Sequence, residues 1–126
     1  MATILLVDDE PLQALDRKSA LERRFQDVER VTDAAEALCL IEHPPFACKL
    51  GLVIAGHHAP GFGGAEFVAE LHDRMPALKV VVIGSGGESA SDYAESAACF
   101  LPRQASTGEL VALAGHLLEE PRRSVA

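Results

Sequence analysis

Five short apolar blocks recur along the chain, and the stretches between them space their apolar residues as helices do. Residues 3–7 are an apolar run that ends in two acids, Asp8 and Asp9. Residues 11–24 read as a helix with Pro11 in its first turn and Leu12, Leu15 and Leu21 among its apolar positions. Residues 28–31 form a second strand. Asp33-Ala34-Ala35-Glu36 is a capping-box pattern opening a helix to about residue 42, where His43-Pro44-Pro45 stops it. Residues 52–55 are the third strand, followed by the turn-rich loop Pro60-Gly61-Phe62-Gly63-Gly64 and a helix over residues 65–74, closed by Met75-Pro76. Residues 79–83 are the fourth strand. Gly84-Ser85-Gly86-Gly87 then leads into a weak helix over residues 88–98, and residues 99–101 are a short fifth strand. Ser106-Thr107-Gly108-Glu109 is a second capping box, opening a last helix to about residue 119.

The pattern is therefore five β-α units, read as one domain over residues 1–120 with a polar tail at residues 121–126. Strands three and four are nearly unbroken apolar runs, which marks a parallel sheet covered by helices on both faces. Right-handed crossovers make this a doubly wound α/β sandwich, whose site lies at the carboxyl ends of the strands. Those ends are Asp8-Asp9, Gly56-His57-His58, Gly84-Ser85 and Arg103.

Composition narrows the function without naming it. The 126 residues are 48% hydrophobic, enough for a core, and with no Trp and one Tyr that core is aliphatic. Nineteen acidic against eleven basic residues give a net charge of −8. That argues against nucleic acid, whose phosphates need a basic face, and against an anionic membrane surface. No run approaches the roughly 18 apolar residues of a membrane span, and the N-terminus, a strand running into acids, is not a signal peptide. Cys39, Cys48 and Cys99 are an odd number at wide spacing, neither a disulfide framework nor a zinc pattern, so the cytoplasm is the expected location.

Leu5-Leu6-Val7-Asp8-Asp9-Glu10-Pro11 resembles the opening of a response-regulator receiver domain of two-component, phosphorelay signalling. Residues 52–64 resemble the third strand and following loop of that family, with Pro60-Gly61 and Gly64 in register, and the likeness runs from Ile4 to about Glu119. It implies a CheY-like, flavodoxin-like (βα)5 fold with parallel strand order 2-1-3-4-5. It also implies five chemical positions: two acids that hold Mg²⁺, an Asp that becomes an acyl phosphate, a Thr or Ser, and a Lys. Asp8 and Asp9 match the acid pair. The phosphoacceptor position falls on Gly56, the Thr/Ser position on Gly84 with Ser85 one step late, and the Lys position on Arg103. Phe100 takes the switch-aromatic position, read equally as core residue and as switch.

These departures decide the expected chemistry. An acyl phosphate needs a carboxylate nucleophile, and glycine has no side chain; no Asp or Glu lies between Lys49 and Ala65 to replace it. Mg²⁺ wants oxygen ligands in octahedral geometry. The residual set is Asp8, Asp9 and the backbone carbonyl of His58, so binding is weak or absent and no cofactor is expected. His57 and His58 read as solvated loop histidines rather than ligands of a softer metal. Arg103 is expected either as a fixed strut, neutralising Asp8 or Asp9 with paired hydrogen bonds, or as an exposed arginine without a partner. Cys39 and Cys99 read as small apolar residues on buried faces, and Cys48 as a plain thiol. Gly84-Ser85-Gly86-Gly87 lacks the ending of a phosphate-binding P-loop. With Gly84 in place of the Thr, Phe100 is expected to pack inward in a single conformation.

The resulting expectation is a non-enzymatic, phosphorylation-independent pseudo-receiver that signals by protein–protein contact. Its expected partner is a kinase or output protein of a signalling system, with homodimerisation left open. The alternative is a small-molecule or anion-binding regulatory domain that uses the pocket opened at Gly56 and Gly84.

Overall fold

A computed structural model describes residues 2–56, 64–84, 98–102 and 105–119. The elements in chain order are β1 (Thr3–Val7), α1 (Pro11–Glu22), β2 (Val28–Val31), α2 (Ala34–Ile41), α3 (Pro44–Ala47), β3 (Leu50–Gly56), α4 (Gly64–Arg74), β4 (Lys79–Ile83), β5 (Cys99–Leu101) and α5 (Thr107–Glu119). All strand pairs are parallel, and the sheet order is β2-β1-β3-β4-β5, as the resemblance implies. The expected helix over residues 88–98 and the tail at residues 121–126 lie outside the described residues.

Alternation along the strands divides the core in two, because successive side chains of a strand point to opposite faces. Leu5, Val7, Val53, Ala55, Val80 and Val82 pack with α2 and with Phe67, Val68 and Leu71 of α4. Ile4, Leu6, Leu52, Ile54, Val81 and Ile83 face the other way, against Leu21 of α1 and Leu110, Ala114 and Leu117 of α5. Both clusters are almost wholly aliphatic, and Phe67 is the one fully buried aromatic ring among the described residues.

The second capping box forms in full, and in the first the Glu reaches the residue before the N-cap. The Asp33 carboxylate accepts from the Glu36 N–H at 2.8 Å, and Glu36 accepts from the Thr32 N–H and hydroxyl. The Ser106 hydroxyl accepts from the Glu109 N–H at 3.1 Å, and Glu109 accepts from the Ser106 N–H. Each satisfies amide donors that a helix start leaves without an intrahelical partner.

Four expectations need correction. His43-Pro44-Pro45 does end α2, but the prolines also open the single turn of α3, since the fixed φ of proline suits a first helical position. The third strand is Leu50–Gly56, longer at both ends than its apolar run. Leu12 and Leu15 are 76% and 63% exposed, because the buried stripe of α1 runs through Ala14 and Leu21 instead. Cys39 is exposed rather than buried. The inward stripe of α2 is Ala34, Ala37, Leu38 and Ile41, and the residue after Leu38 is turned about 100° away from it.

The functional consequence of the fold is its carboxyl edge. Val7 pairs with Ala55, so the next residues of the two central strands, Asp8 and Gly56, emerge side by side. Gly56 in turn pairs with Ile83, and Gly84 follows, buried, with its N–H donated to the Leu101 carbonyl at 2.9 Å.

Candidate acid corner at the carboxyl edge

Asp8 is a buried acid, with its side chain 3% exposed. Its own N–H continues the ladder with β2 by donating to the Val31 carbonyl at 3.0 Å. The carboxylate turns towards the start of α1. Its Oδ1 accepts from the Glu10 N–H at 3.0 Å. Its Oδ2 accepts from Gln13 Nε2 at 3.3 Å and from Arg17 Nη1 at 2.8 Å. The Arg17 side chain is 12% exposed, so the ion pair is shielded from water on both sides.

Local sequence explains this convergence. Glu10 is the N-cap of α1, and its carboxylate accepts from the N–H groups of Leu12 and Gln13. Pro11 follows at the first helical position, where its missing N–H costs nothing. Gln13 and Arg17 are four residues apart, hence one above the other on the same helix face. Arg17 is also three residues after buried Ala14 and four before buried Leu21, which puts it in the inward stripe. A charged residue at that spacing must find a partner inside, and Asp8 is that partner.

A second guanidinium reaches the same residue from β2. Arg30 donates from Nε at 3.0 Å and from Nη2 at 2.8 Å to the backbone carbonyl of Asp8. Asp8 is thus held by its carboxylate and by its main chain, from elements on either side of β1.

At the end of β3 the environment is the reverse. A Cβ built on Gly56 would meet no heavy atom of the described residues within 4 Å, and the backbone is not in the left-handed region. Among the described residues, therefore, nothing sterically requires glycine there. Asp9 is exposed. Phe100 is half-buried and packs on the core layer shared with α2 and α4.

Asp8, Asp9, Gly56 and Gly84 are brought to one edge, as the sequence pattern predicts. His57, His58, Ser85 and Arg103 lie outside the described residues, and so does any contact of Arg103 with the acids. Among the described residues the cation on the Asp8 carboxylate is Arg17, which the sequence pattern alone does not single out. The available signal was its spacing from Ala14 and Leu21.

The fit of Mg²⁺, the ion that the fold family implies, can be tested on these contacts. Mg²⁺ takes about six oxygen ligands in near-octahedral geometry. Gly56 supplies no side-chain oxygen, and both carboxylate oxygens of Asp8 already accept hydrogen bonds. No group of three His, Cys, Asp or Glu side chains among the described residues is arranged to hold a metal. These donors do not fit the ion.

Comparison with known proteins gives the architecture its family context. The solved response-regulator receiver domain protein of Clostridium thermocellum superposes with a TM-score of 0.86 at 20% identity, over 99% of this chain and 98% of that one. The CheY-like receiver domain protein of Methanospirillum hungatei does so with a TM-score of 0.83 at 22% identity, over 95% of each chain. The chain has the fold of a response-regulator receiver domain. In sequence, this chain is 31% identical over 88 residues to the hydrogenase transcriptional regulatory protein HoxA of Cupriavidus necator. That match takes in 70% of this chain and 17% of the length of HoxA. No family model matches. Among the described residues no helix is long and apolar enough to cross a membrane.

Proposed function

We propose that this chain is a pseudo-receiver, a two-component signalling module over residues 1–120 that passes a signal by protein–protein contact without being phosphorylated. The observation that carries the reading is the end of β3. Where the resembled family has its phosphoacceptor carboxylate stands Gly56, in a strand whose register puts it beside Asp8. Acyl-phosphate chemistry needs a nucleophile that glycine lacks. Asp8 does not replace it, because its carboxylate is buried and bonded to Arg17, Gln13 and the Glu10 amide. The acidic surface and the receiver fold support a protein partner in the cytoplasm, a kinase or an output protein, over nucleic acid.

The test is intact-mass spectrometry after incubation with acetyl phosphate and Mg²⁺. The expected spectrum is that of the untreated chain. An acid-stable, base-labile phosphate would overturn the reading. One observation favours a second reading, an anion or small-molecule site: the space beside Gly56, where an added Cβ would touch none of the described residues. A metabolite that raises the melting temperature of wild type but not of Gly56→Leu would favour that second reading.

A further inference from the structure

We propose that Arg17 is a built-in cation, a guanidinium that occupies the Asp8 carboxylate and makes this edge of the receiver fold indifferent to divalent metal. The inference deepens the pseudo-receiver reading and rests on it for its functional meaning, though its chemistry stands on separate contacts. The loss of a carboxylate at Gly56 would by itself leave a weak two-acid site at Asp8 and Asp9. The contacts at Asp8 go further than that loss.

Arg17 Nη1 lies 2.8 Å from Asp8 Oδ2 in a pair shielded from solvent. Gln13 shares that oxygen, and the Glu10 amide takes the other. A carboxylate offers about four lone-pair sites, and three are used by these donors. An incoming dication would have to take the one remaining site, on Oδ1, beside the guanidinium held on Oδ2, or displace that guanidinium. It would also sit near Arg30, which is anchored on the Asp8 carbonyl. An arginine cannot relieve that repulsion by losing its proton, as a lysine can. Nor is Arg17 free to swing into water without cost, because its stem lies in the inward stripe between Ala14 and Leu21. The positive charge that the corner needs thus comes from the chain itself, on the helix that β1 leads into. The β1–α1 corner is locked without an ion to gain or lose.

Four proteins separate this device from the mere absence of a third carboxylate: wild type, Gly56→Asp, Arg17→Gln and the double variant. Gln at position 17 keeps a donor for Asp8 while removing the charge. Gly56→Asp adds the missing carboxylate where the described residues leave room for it. Melting temperatures are compared in EDTA and in MgCl2 at ~10 mM, where a millimolar site would raise the midpoint by about 5 °C. Wild type and Gly56→Asp should not respond, and the double variant should. A response of Gly56→Asp as large as that of the double variant would overturn the proposal, because Arg17 would then not be the block. A double variant that folds and does not respond would overturn it too.

Wild type alone supplies an outcome that needs no variant to fold. The Arg17 Nε–H resonance should be unmoved on addition of MgCl2, and the Glu10 amide should not broaden with Mn²⁺. Movement of either would overturn the built-in cation. These readouts use no phosphoryl donor, so the phosphate test can fail while this one holds, and the reverse.

Discussion

The ends of β1 and β3 lie next to each other on the sheet and are built in opposite ways. At the end of β1, one buried carboxylate is bonded by three donors and flanked by two guanidinium groups, and even its main-chain carbonyl is held twice. At the end of β3, Gly56 has no side chain, and no described residue lies where its Cβ would be. A receiver-type site would draw on both ends for one task. Here one end carries no side chain, while the polar groups at the other are bonded to one another. A buried acid without a partner is costly, so it must be paired or hydrogen-bonded. Asp8 is neutralised by Arg17, which ties it into the framework of the β1–α1 corner.

The largest expected effect comes from removing the acid. Asp8→Ala leaves the Arg17 guanidinium mostly buried with its ion-pair partner gone. Breaking a buried pair from one side costs on the order of 3 kcal/mol. It also takes the side-chain acceptor from the Glu10 N–H at the entrance to α1. A urea denaturation curve should show a much lower midpoint with an unchanged slope. A loss below ~1 kcal/mol, the range of exposed pairs, would mean that the corner is solvated and the comparison is false.

The two ends were not equally legible in the sequence. The strands were, because unbroken apolar runs such as residues 80–83 have few other folds open to them, and β4 is Lys79–Ile83. Asp8, Asp9, Gly56 and Gly84 could be placed because strand ends are fixed once the strands are. The partner of Asp8 could not be read the same way. Arg17 sits on a helix where Leu12 and Leu15 offer the more apolar face, and those two leucines point outward. The choice between the two helix faces is made by tertiary packing: α1 must bury Ala14 and Leu21 on the sheet, and Arg17 is carried in with them. Cys39 misled for a related reason, since apolar character alone does not say which side of α2 a residue takes. Arg103, a candidate strut because it follows the last strand, lies outside the described residues, whereas Arg17 reaches the acid from nine residues further along the same β-α unit.

The second effect sharpens what holds the β1 end. Arg30→Ala removes two hydrogen bonds from a charged donor to the Asp8 carbonyl and leaves the carboxylate pair intact. Arg30 is half-buried, so a cost of about 1.5 kcal/mol is expected, at the low end for bonds from a charged group. The same denaturation experiment measures it, and amide exchange reports where the loss falls. Asp8 and Glu10 should lose protection ahead of the centre of the sheet. If Arg30→Ala costs as much as Asp8→Ala, the main-chain clamp matters as much as the ion pair, and the lock belongs to β2 as well as to α1.

The smallest effect tests the β3 end and should have the opposite sign. Gly56→Ala adds a methyl group where no described residue stands within 4 Å, on a backbone that alanine can adopt. No packing is lost, and the unfolded chain gives up some of the freedom that glycine allows it. The expected result is a gain of about 0.5 kcal/mol, read as a slightly higher urea midpoint. The variant should also share the unphosphorylated mass spectrum of wild type after acetyl phosphate, since a methyl group brings no nucleophile. A destabilisation of ~1 kcal/mol or more, the size of an overpacked site, would mean that chain outside the described residues fills the space. The end of β3 would then be closed, the anion-site reading would lose its cavity, and the contrast with β1 would be between two occupied ends.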